Sequence, residues 1–334
     1  MLTRIIENVN RMKQIHKIIL EYIDNDNDEE NFENLIKLIK NQKIHDDRNN
    51  FRLFLKLLFF LSKHHYRNQF FFNKIEKILL IFKKEIQSQF ANLELFYFFK
   101  GSKRLLLSLI EEKLIVIDQT IYNIISKNKY LLSNYPQYFF PECKQFMFFI
   151  MAKCIEHDFP KNFEKKRKIG ENENYIAELI KKDLIEEFIT HVNKTNYSLN
   201  SEIGTSIFET NNLLLKKKTT LIEYSAFYGS IQIFKYLYLN NVELTPDLWI
   251  YAVHSRNPEI FFVLESNKIK PIDTTYQQCL KESIKCHHND VADYIINNLI
   301  ISNDNEFDFD NNIYSYSFQY HNYSFFPNDI KDST

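Results

Sequence analysis

Glycine is almost missing from this chain: four occur in 334 residues, at Gly101, Gly170, Gly204 and Gly229. Glycines so far apart cannot build a phosphate loop, a dinucleotide fingerprint or a nucleophile elbow. With only seven prolines besides, few of the sharp positive-φ turns that sheet-rich folds need are expected. Cys143, Cys154, Cys279 and Cys286 are too few for a disulfide framework and read as reduced thiols of a cytoplasmic or nuclear protein. Basic and acidic residues nearly cancel, 42 against 43, so no global field draws nucleic acid or an anionic membrane. The longest apolar run, Phe146 to Ala152, is far below the ~20 residues that a membrane-spanning helix needs. Arg4, Glu7, Arg11, Lys13 and Lys17 break up the apolar stretch that a secretory signal would require. A soluble protein with neither nucleic-acid nor membrane partner is expected.

What is present points to helices. Apolar residues make up 45% of the chain, with 31 Phe and 20 Tyr, so there is material for a large core. Apolar positions recur at spacings of three and four over 2–23, 32–42, 48–64 and 73–88, separated by short polar connections such as Asn25 to Glu30. These read as antiparallel helical hairpins, and the fold class expected is all-α.

A repeated unit emerges around Gly229. Small residues stand four and three positions before it (Ser225, Ala226) and apolar residues four, five and eight after it (Ile233, Phe234, Leu237). Gly101 repeats the pattern with Leu105, Leu106 and Leu109, and 176–192 reads as another worn unit. Aligned on the first of these apolar positions, Ile233 is matched by Ile260 and then Val291, at periods of 27 and 31 residues, with Arg256 and His287 where the glycine stood. Thr245-Pro246-Asp247 reads as a helix entry, with Thr245 as cap and Pro246 near the first turn.

In Leu221–Leu244, Leu248–Leu264 and above all Cys279–Asp290 the chain resembles a large, protist-expanded group of ankyrin-repeat proteins whose repeat region contains a domain of unknown function. The resemblance extends upstream through Leu109–Lys113 and Lys166–Asn172. It implies an ankyrin-like helical-hairpin solenoid with degenerate N-terminal repeats, binding another protein without chemistry. It implies no catalytic residues. The expected organisation is a divergent helical region over 1–127, an irregular insertion or linker over 128–170, the repeats over 171–300 and an aromatic, Asn-rich tail over 301–334. The insertion carries Lys161, Lys165, Lys166, Arg167 and Lys168, read as a solvated loop or as a contact for phosphate or an acidic partner.

The repeat register designates a surface. In ankyrin stacks the two positions before the turn face outward, here Phe227 and Tyr228, His254 and Ser255, Lys285 and Cys286; the fingers add Asn241, Glu243 and Thr245, then Lys268, Lys270 and Asp273. Phe227 and Tyr228 either meet a partner or pack against neighbouring repeats or the tail. Cys279, Cys286, His287 and His288 lie close along the chain, but C-x6-C with adjacent histidines lacks the paired spacing of a structural zinc site. No metal, cofactor or small-molecule substrate is expected. His64-His65 reads as a pair at a helix C-terminus. Tyr314, Tyr316, Phe318 and Tyr320 alternate with polar residues, so the tail reads as a disordered extension or as an extended segment laid along the solenoid. The rival reading is a regulatory subunit, or an enzyme with its site near 128–170.

Overall fold

The computed structural model describes residues 2–25, 29–65, 68, 70–127, 134–147, 160–300 and 309–326. Their architecture is all-helical, the only extended pairing among them being an isolated bridge between Glu202 and Thr220. No helix among them is long and apolar enough to cross a membrane. The chain forms two compact units: Met1–Gln89 joined with Thr245–Thr334, and Phe90–Leu244.

The first unit opens with α1 (Leu2–Asp24), α2 (Glu29–Asn41), α3 (Arg48–His64), α4 (Phe71–Ile81) and α5 (Lys83–Gln89). Local chemistry sets the boundaries. Asp47 caps α3 by accepting the Asn50 amide at 2.9 Å. The single helix expected over 73–88 is broken at Phe82, whose backbone leaves the helical region while its ring packs against Phe51 and Phe54.

The second unit holds α6 (Asn92–Phe99), α7 (Lys103–Glu111), α8 (Gln119–Lys127), α9 (Tyr135–Tyr138), α10 (Phe140–Cys143), α11 (Phe163–Ile169), α12 (Tyr175–Lys181), α13 (Ile185–Thr195), α14 (Asn212–Lys216), α15 (Leu221–Tyr228) and α16 (Ile231–Leu239). A reciprocal capping box starts α15: Thr220 accepts the Glu223 amide, and the Glu223 carboxylate accepts that of Thr220 at 2.8 Å. The hairpin α12–α13 lies against the hairpin α15–α16, first helix on first and second on second. The basic cluster is not all solvated. Arg167 is buried, forked onto Glu142 at 2.7 and 2.8 Å and bonded to Glu164 at 2.6 Å, which ties α11 to α10.

Back in the first unit come α17 (Leu248–Ser255), α18 (Pro258–Ser266), α19 (Gln277–Cys286), α20 (Asn289–Tyr294) and α21 (Phe309–Tyr320), with a short 3-10 turn at Tyr323–Phe325. Helix α17 starts later than expected, and the Thr245 hydroxyl makes no cap bond; Thr245-Pro246-Asp247 instead forms a turn whose carbonyls receive the first amides of α17. Helix α19 is central, touching α3, α17, α20 and α21. All nine positions counted from Gly229, Arg256 and His287 as apolar, from Ile233 to Ile295, are buried.

The scarcity of glycine did not limit left-handed turns. Among the described residues thirteen others have positive φ, including Arg256 (+57°) and His287 (+59°) at the places equivalent to Gly229 (+71°). At Gly229 and His287 the next amide closes back onto Ser225 and Ser283, giving the same helix C-cap.

The tail expectation is corrected over 309–326. Tyr314, Tyr316, Phe318 and Tyr320 lie on a helix, with Ile313 and Ser317 one turn apart on its buried side. Asn322 locks it down, donating to the Ile284 carbonyl at 2.9 Å and to Asn289 at 2.8 Å. Residues 301–308 and 327–334 of the expected tail lie outside the described residues.

Candidate functional site: a buried histidine, glutamate and cysteine

The residues designated as an outer surface divide three ways. Asn241, Glu243, Lys268 and Lys270 are exposed, and Asn241 and Lys268 occupy the left-handed turn that ends the second helix of their hairpins. Phe227, Tyr228, Ser255 and Lys285 are half-buried. The Tyr228 ring packs against Tyr224 and Phe227 with centroids 4.9 and 5.0 Å apart, and burial, reinforced by Tyr224 and Glu209, holds its phenol well above the usual range. His254 and Cys286 face inward, at 4% and 0% exposure, which corrects the expectation for both. The turn residues Arg256 and His287 end their helices where the register says, but α17 and α19 pack on each other in the first unit, and His254 and Cys286 are buried there.

Two of these residues meet at a third that no sequence motif singled out. Glu282 and Cys286 are four apart on α19 and share a face; His254 comes from the last turn of α17 opposite. His254 Nε2 is 2.9 Å from Glu282 Oε1, and Cys286 Sγ lies 3.7 Å from either imidazole nitrogen and 4.0 Å from Glu282 Oε1. Lys285 donates to both carboxylate oxygens at 2.7 and 2.9 Å. Burial pushes the Glu282 carboxyl up, but His254 and Lys285 outweigh it and hold it well below the ordinary range. Burial pushes the Cys286 thiol up. Imidazole, carboxylate and thiol thus present three ligand atoms within 4.8 Å of one another. Cys279 has no part in this group: it is buried near the start of α19.

The surroundings are rich in histidine. His64 and His65 stand at the C-terminal end of α3 as expected, and His65 in addition makes tertiary bonds to the Cys286 carbonyl at 2.8 Å and to Asp24 at 2.7 Å. Asp24 also takes an ion pair from Arg256 at 2.9 Å. His288 donates from Nδ1 to the Val253 carbonyl at 2.9 Å, and His287 Nδ1 meets His16 Nε2 at 2.8 Å. Burial drives the His16 imidazole down to about 3, helped by the charge of His65. The pairing of the turn residues with α1 had no sequence signal, since 271 positions separate His16 from His287.

An open cleft of ≈ 360 Å³ lies between α18 and α20, lined by Pro258, Phe261, Phe262, Val291 and Tyr294, with the Arg256–Asp290 ion pair at its edge. Phe262 is 70% exposed there. The spacing along α18 holds the signal for it: Ile260, Phe261 and Leu264 take the core positions, which leaves Phe262 facing away. Comparison with protein-family models, with curated proteins and with solved structures finds no match.

Proposed function

We propose that the chain is a non-catalytic scaffold that binds another protein on a preformed surface of ankyrin-like helical hairpins. The observation that carries this reading is the in-register stacking of hairpins in the second unit, α12 on α15 and α13 on α16, together with the same left-handed turn at Gly229, Arg256 and His287. Hairpins of this kind bury one face against a neighbour and leave the turns and outer helix faces for a partner. Phe262, beside an apolar cleft rimmed by Arg256, Asp290 and Glu265, has the chemistry of an interface anchor, and the exposed Lys268 and Lys270 add charge in the same hairpin region. Phe227, packed on Tyr228 just before the Gly229 turn, is a half-buried aromatic of the second unit. Likeness to the ankyrin-repeat group with a domain of unknown function fits the same architecture. The free thiols Cys143, Cys279 and Cys286 fit a reducing compartment, cytoplasm or nucleus.

The test is affinity capture by the full chain under cross-linking, quantified by mass spectrometry, for the wild type and for Phe262→Ala and Phe227→Ala. The reading requires a reproducible protein partner that at least one of these variants loses while its melting temperature stays within a degree or two. A wild-type chain that captures no protein above the control, or a partner indifferent to both variants and to Lys268→Glu with Lys270→Glu, sinks it.

A further inference from the structure

We propose that His254, Glu282 and Cys286 form a binding site for a single divalent transition-metal ion, with zinc the best fit. The donor set is one nitrogen, one oxygen and one sulfur, the combination that suits a borderline-soft ion and excludes calcium and magnesium, which take oxygen ligands. The spacing fits as well. An ion bound tetrahedrally at about 2.0–2.3 Å needs ligand atoms about 3.3–3.7 Å apart. The three separations are 2.9 Å for nitrogen to oxygen, 3.7 Å for sulfur to nitrogen and 4.0 Å for sulfur to oxygen. Cys286 Sγ is equally 3.7 Å from His254 Nδ1, so it stands beside the ring; the imidazole and the thiol must turn, by more than about an ångström, to close the set around an ion on Nε2.

The ligands stand on two packed helices, α17 and α19, so their positions are held by the core rather than by loops. Binding displaces the Cys286 proton to solvent, and thiolate plus carboxylate then offset the two charges of the ion, leaving the Lys285 ammonium as a single positive charge at the edge of the site. Lys285 keeps its contact with Glu282 Oε2 at 2.9 Å, orienting the carboxylate while Oε1 turns to the metal. Cys286 is sealed from water, whereas the Glu282 side chain retains 14% exposure, which gives the ion its way in. Three protein ligands leave one coordination position for water.

The competing explanation is a hydrogen-bonded network in which Glu282 bridges His254 and Lys285 and the thiol has no role. Cobalt titration of the chelator-treated full chain separates the two. The expected result is one ion per chain, with a thiolate-to-cobalt charge-transfer band that zinc abolishes by displacement. Cys286→Ser eliminates that band, Glu282→Gln weakens binding by more than about tenfold, and Cys143→Ser and Cys279→Ser keep it. Absence of the band with cobalt in excess, or its survival in Cys286→Ser, overturns the site. Should Cys286→Ser fail to fold, alkylation of the wild-type chain during mild warming, mapped by peptide mass spectrometry, decides between the same two explanations. Zinc must then protect Cys286, and equal labelling with and without zinc overturns the proposal.

Discussion

Burying imidazoles makes the first unit sensitive to acid. His16 is wholly enclosed by His287, the Tyr323 ring and Ser324, and its neutral form is favoured down to about 3; His321, stacked on Phe60, is held by burial and by Lys56 down to about 4. The unfolded chain protonates these rings near their ordinary 6.5, so it takes up protons that the folded chain refuses. Stability is therefore full above pH 6.5 and falls as the pH drops toward 4 and 3. His16 alone removes about 2 kcal/mol between pH 6.5 and 5, at about 1.4 kcal/mol per unit. Thermal melts followed by Trp249, buried in the first unit with its indole N–H on the Ile269 carbonyl, should show this, and His16→Leu should flatten the pH dependence. An equal slope in that variant would place the titration elsewhere. At this scale the sequence was only partly legible. It put His287 and His288 at a turn, because the apolar spacing around them is helical, but it held nothing about what stands opposite.

Turns carry the logic of the helical hairpins. A left-handed C-cap is set by the hydrogen bonds that close the helix, and non-glycine residues accept it at a cost of about 1–2 kcal/mol. Gly229→Ala should then lower the stability of the second unit by about 1 kcal/mol. Lys268→Gly, at an exposed turn with φ of +56°, should change little or stabilise its own unit by up to about 1 kcal/mol, the gain in the turn being partly offset by a freer unfolded chain. Calorimetry of both variants checks the opposite signs. The hairpins themselves were readable, since Ile233, Phe234 and Leu237 and their counterparts obey the 3.6 period. The tail was misread because its tyrosines fall two apart, whereas the buried Ile313 and Ser317 fall four apart.

Both ends of the chain build one unit. Helix α1 packs on α2, α3 and α4 and on the turn Tyr323–Phe325, and Lys13 donates to the Phe326 carbonyl at 2.9 Å. Removing residues 309–334 strips Asn322 from the Ile284 carbonyl and uncovers α19. The melting transition reported by Trp249 should then fall by several degrees, a shift that Asn322→Ala alone reproduces in part. An unchanged transition would mean that the docked tail adds no stability. The sequence by itself determined the all-helical class and the buried positions of the hairpin helices around Gly229, Arg256 and His287, because those follow from spacing over three and four residues. Only the tertiary structure decided that His16 meets His287 and that His254 meets Glu282 and Cys286. Those meetings depend on how separate helices are rotated against each other, and no local period encodes that rotation.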